Sequence, residues 1–75
     1  PGPFDLIFID GCHDYRTVKN DTEKAMTVLS RGGLLVWHDY NLPGVGQWID
    51  EFSQIYPCHW IQGTRFVTSR LPLSV

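Results

Sequence analysis

Two short runs made wholly of apolar residues, Leu6-Ile7-Phe8-Ile9 and Leu34-Leu35-Val36-Trp37, each stop abruptly at polar residues. The first gives way to Asp10-Gly11 and then His13-Asp14, the second to His38-Asp39-Tyr40. Unbroken runs of large and branched side chains predict strands buried on both faces, as in a parallel sheet covered by helices. Polar chemistry is then confined to the strand carboxyl ends. In open α/β sheets ligands bind at those ends, where the departing loops splay apart.

The segment between the runs predicts a helix over residues 15–30. Val18, Thr22, Ala25, Met26 and Leu29 form one stripe, while Lys19, Asn20, Glu23 and Lys24 fall elsewhere. Asp14 can cap the first turn with its carboxylate, and Arg31 suits the last turn. Gly32-Gly33 offers the left-handed residue that commonly ends a helix. Strand, helix and strand make a βαβ unit, which sets Asp10 beside Asp39 at one edge of the sheet.

Asn41-Leu42-Pro43-Gly44 reads as a turn. Val45, Trp48, Ile49, Phe52, Ile55 and Tyr56 then recur at helical spacing until Pro57. Beyond it, two strands flank Gly63-Thr64 as a two-residue type II′ hairpin, which sets Trp60 opposite Val67 and Ile61 opposite Phe66. The order is β-α-β-α-β-β in a single unit over residues 1–75. Right-handed crossovers put both helices on one face, leaving the other face bare and the first strand with an open edge.

Several function classes drop out. A net charge of −2 with scattered Lys and Arg gives no footprint for nucleic acid or an anionic membrane. No apolar stretch reaches the roughly 18 residues of a spanning helix. Gly44-Val45-Gly46 lacks the spacing of a phosphate loop, and no G-x-x-x-x-G-K-[ST] accompanies the strand that ends in Asp10. Trp37, Trp48 and Trp60 occupy strand and helix positions that suit a core better than base stacking. Cys12 and Cys58 fit neither a disulfide framework nor a zinc pattern, and they belong at opposite ends of the sheet. Two free thiols imply a reducing, cytoplasmic setting. The sequence opens at Pro1 and reaches a strand within four residues, which reads as a piece of something longer.

The succession DLIFIDGCHDY, a helix running into LSRGGLLVWHDYN, and a GTRF hairpin resembles the C-terminal half of class I S-adenosylmethionine-dependent methyltransferases. The similarity runs from Phe4 to about Arg70 and is closest to members with IDG-x-H-x-Y and GG-x-L-V-x-HDY segments. It implies half of a Rossmann-like sheet of order 3-2-1-4-5-7-6, with strands 4 to 7 present. The glycine-rich cofactor loop and the acidic ribose-binding residue of that family belong to its other half.

The resemblance therefore implies a chain inactive by itself, taking part in methyl transfer, most simply to oxygen of a small-molecule acceptor. Asp10 and Gly11 would face S-adenosylmethionine, and Asp10 and Asp39 would hold a divalent metal such as Mg²⁺. His38 and Tyr40 flank Asp39 where some metal-dependent members carry Asn or Glu. Three readings of the strand-end residues stand together: His13 or His38 as a general base, a metal cluster, or carboxylates that only cap loop amides. The open edge and bare face call for either the missing N-terminal half or a homo-oligomer, and the latter describes a non-catalytic half-domain.

Overall fold

The computed structural model describes residues 3–10 and 14–71. Along the chain run β1 (Phe4–Ile9), α1 (Tyr15–Val28), β2 (Leu29–Trp37), α2 (Pro43–Phe52), β3 (His59–Trp60) and β4 (Val67–Arg70). The strands form one mixed sheet of order β1-β2-β4-β3. β1 and β2 are parallel, and β4 is antiparallel to both β2 and β3. This small α/β architecture is consistent with part of a Rossmann-like fold.

Helix α1 starts where Asp14 accepts a hydrogen bond from the Thr17 amide at 3.2 Å. Without that cap the first-turn N–H groups would have no partner in the helix. Its expected stripe holds at Val18, Thr22 and Ala25, which are buried. The helix nevertheless ends at Val28, two residues early. Leu29 pairs with Phe4 in the sheet, and the next pair is Leu6 with Leu34, so β2 carries a bulge. Gly32 does adopt a left-handed conformation, at φ 71°, but within that bulge and not as a helix cap.

Pro43 opens α2, where its missing N–H costs nothing. Val45, Trp48, Ile49 and Phe52 are buried as the spacing predicts. The helix ends at Phe52, well before Pro57, and Ile55 is 74% exposed. A single further turn, in which the Tyr56 amide bonds to the Phe52 carbonyl, points Ile55 outward.

The hairpin keeps its expected register: Trp60 pairs with Val67, and the Ile61 amide donates to the Phe66 carbonyl. Its turn differs. The Thr64 amide bonds to Ile61 with Gly63 at φ 83°, so Gln62-Gly63 forms the centre in the type II manner and the loop is longer than two residues.

Both helices pack on one face of the sheet. Leu35, Trp37, Val67 and Ser69 point into the core, and the Trp37 ring meets Phe52 edge-on at 5.1 Å. At its centre the Thr22 hydroxyl donates to the Val18 carbonyl at 2.7 Å and accepts both indole N–H groups, of Trp37 and Trp48, at 3.0 Å each. The other face is bare, so the expectation of double-sided burial fails for β1. Phe4, Leu6 and Phe8 are exposed because their alternation turns them away from the helices, while Ile9 is buried. Among the described residues, no helix is long and apolar enough to cross a membrane.

Candidate functional site at the strand carboxyl ends

The parallel register sets Ile9 beside Trp37, so the residues that follow them, Asp10 and His38, leave the sheet side by side. His38 Nδ1 lies 3.5 Å from Asp10 Oδ1 and 3.3 Å from Asp39 Oδ2. All three groups therefore meet, as the βαβ reading required of the two aspartates. Their ligand-type atoms lie within 4.8 Å of one another. The Asp39 side chain is the most enclosed, at 16% exposure against 31% for His38 and 40% for Asp10.

Local backbone geometry builds this arrangement. Asp39 is the one non-glycine residue with positive φ among the described residues, at 62°. Aspartate tolerates this region better than most residues, because its short polar side chain can bond locally. The left-handed step turns the chain sharply out of β2, and the Leu42 amide closes the turn on the Asp39 carbonyl at 3.0 Å. Gly46 then brings the start of α2 against this turn, since a Cβ there would sit 2.8 Å from the Tyr40 carbonyl oxygen.

Three neighbours were not legible as site residues. Arg65, from the hairpin loop, places Nη1 3.6 Å from Asp39 Oδ1, and its carbonyl accepts from the Tyr40 amide at 3.5 Å. Phe66 packs on the His38 ring at a centroid distance of 4.7 Å, and Phe8 lies 6.4 Å from it. The hairpin register and the alternation of β1 carry the only signal for these contacts, because both aromatic rings belong to the face away from the helices. Between the rings and the carboxylates, the imidazole is held on two sides.

Gly11, Cys12 and His13 lie outside the described residues, so the expectations for Gly11 at the cofactor and His13 as a base have no structural counterpart here. Cys58 is a free, half-buried thiol, pushed upward in pKa by burial, with the Ser69 contact working the other way.

Chemically, the cluster offers one imidazole flanked by two carboxylates at an open sheet end. That suits proton transfer or cation binding, and exposed acidic groups also occur without either. No curated protein and no solved structure matches the chain. A family model described as "Methyltransferase domain" matches residues 1–40, more than half of the 75. Asp10, His38 and Asp39 all fall within that match, and the chain belongs to the methyltransferase-domain family.

Proposed function

We propose that the chain supplies the acceptor side of an S-adenosylmethionine-dependent methyltransferase acting on a hydroxyl oxygen, with His38 as general base. The observation that carries this is the position of His38 Nδ1 between Asp10 and Asp39 at the strand carboxyl ends. Two carboxylates favour a proton on Nδ1, which leaves Nε2 with its lone pair free to accept another. When bound, S-adenosylmethionine supplies an electrophilic methyl group. His38 Nε2 would take the proton of the acceptor hydroxyl as its oxygen gains the methyl carbon and the carbon–sulfur bond breaks to leave a neutral thioether, and Asp10 and Asp39 would stabilise the resulting imidazolium.

The sheet order supports reading the chain as the C-terminal half of such a domain. β1-β2-β4-β3, with β4 antiparallel, corresponds to strands 4-5-7-6 of the implied sheet. The remaining strands would join at the free edge of β1, along which an open groove of about 1050 Å³ runs beside α1. The fit to the cofactor is partial. Asp10 stands at a strand end where it can form one wall, but among the described residues no strand is followed by a glycine-rich turn to hold the methionine end. Calorimetric titration of the chain with S-adenosylmethionine is therefore expected to give no saturable binding, and a clear one-site isotherm would contradict the half-domain reading.

A divalent cation is the second reading of the same atoms. Ligand separations of 3.3 and 3.5 Å are close to the roughly 3 Å between adjacent ligands of an octahedral Mg²⁺ site with 2.0–2.1 Å bonds. The imidazole would favour a transition metal. Metal and base readings compete for Nδ1, and His38→Gln separates base catalysis from a passive role. In a chimaera that joins this chain to a half-domain carrying a glycine-rich loop, transfer of labelled methyl to catechol should fall roughly 100-fold or more on that substitution. Unchanged transfer would remove His38 from the mechanism. The alternative of a non-catalytic half-domain that persists as a homo-oligomer is favoured by the bare sheet face.

A further inference from the structure

We propose that two copies of this chain pack face to face through the sheet surface that the helices leave uncovered. This rests on the oligomeric reading above and assigns it to the face in preference to the edge. Its apolar part is built from alternate residues of two strands and the hairpin loop, Leu6, Phe8, Leu34, Val36, Ile61 and Phe66, while β4 adds Thr68 and Arg70 to the same face. Leu6, Phe8 and Ile61 are 56, 49 and 46% exposed, and Phe4 at the margin is 44% exposed.

At about 150–250 Å² for a whole large side chain, these four leave roughly 400 Å² of apolar surface in water, about the size of the largest apolar patch on an ordinary monomer. Two such faces, with half-buried Leu34, Val36 and Phe66 added, offer roughly 900 Å² of apolar area. That is about the apolar share of a standard interface of ~1,600 Å². The patch is thus of the size that a stable dimer buries.

Charge placement also suits a second copy. Asp10 follows β1 at one end of the face, whereas Arg70, paired with Leu34, lies at the other. A twofold axis that turns one copy end for end brings Asp10 of each towards Arg70 of its partner, while Arg65 already balances Asp39 within each copy. The free edge of β1 is less suited to self-pairing, because Asp21 and Lys24 of α1 line the groove beside it. Charges of this kind commonly blunt edge strands.

Sedimentation equilibrium over a range of concentrations tests the proposal, with Leu6→Lys and Ile61→Lys placed on the face and Ile55→Lys as a control away from it. Both face positions are about half exposed, and matched far-UV circular dichroism checks that each variant folds. The expected result is a species of twice the 8.6 kDa chain mass. Each face variant should weaken its association at least about tenfold, the equivalent of 1.4 kcal/mol, and Ile55→Lys should not. A dimer indifferent to both face variants would overturn the assignment to the face while leaving an oligomer in place. A monomer at every concentration would overturn both, and neither outcome bears on the cofactor titration or the His38 assay.

Discussion

Replacing Thr22 with valine removes one oxygen and very little volume, yet it should be among the most damaging single changes to this core. The hydroxyl accepts from Trp37 Nε1 and Trp48 Nε1, both at 3.0 Å, and it joins α1 to β2 and to α2. Trp37 is fully buried and Trp48 nearly so, which leaves no room for water to replace the lost acceptor. Each stranded indole N–H costs about 1–3 kcal/mol. The slightly better burial of a methyl group offsets part of that, so the expected loss is about 2–4 kcal/mol. For a core of this size, which supplies no more than about 3–5 kcal/mol, the loss removes most of the stability. Thr22→Ser keeps the oxygen and deletes one methyl, at about 1 kcal/mol. Equilibrium urea denaturation at one fixed chain concentration, followed by far-UV circular dichroism, orders the three proteins native, Ser, Val. A valine variant within about 0.5 kcal/mol of native, with serine the worse of the two, would refute the assignment of both indoles to Thr22.

Gly46→Ala should destabilise by about 1–3 kcal/mol in the same assay, because the clash is with the backbone oxygen of Tyr40, which cannot rotate away as a side chain would. The Asp14 carboxyl is held below its usual pKa of 3.8 by its side-chain contact with Thr17 and by the Thr17 amide. Its contribution is therefore present above that value and lost as pH falls through the lower folded-state pKa. Asp14→Ala should accordingly lower the melting temperature at neutral pH and narrow its gap to native at acid pH, as a pair of thermal melts would read. Cys58, half-buried and pushed upward in pKa chiefly by burial, should react with a thiol reagent more slowly than a free cysteine at neutral pH, and should reach the free rate in denaturant.

Local patterns were legible where one short rule decided the outcome. The Asp14 cap, the buried faces of both helices, and the pairing of Trp60 with Val67 all follow from spacing and turn chemistry. The meeting of Asp10 and Asp39 followed from topology, since parallel strands joined by a helix must end together. What was missed depends on contacts distant in sequence. Leu29 has helical spacing, but pairing with Phe4 draws it into β2, and local propensity yields to the sheet. Gly32 is left-handed for a bulge that only the β1 register creates. Leu6 and Phe8 look like core residues in any window, and their exposure reflects which side the helices cover. His38 was expected near the aspartates, whereas Phe66 and Arg65 come from a hairpin further along the chain and Phe8 comes from β1.

The central claim is that Asp10 and Asp39 together hold the proton of His38 on Nδ1 and leave Nε2 as the reactive atom. Nitrogen-15 spectra of the imidazole, recorded in alkaline solution where an ordinary histidine is neutral, read the tautomer directly. The account predicts the Nδ1–H form for His38, shifting towards the Nε2–H form preferred by free imidazole side chains when both aspartates are changed to alanine. A native His38 already in the Nε2–H form would contradict it.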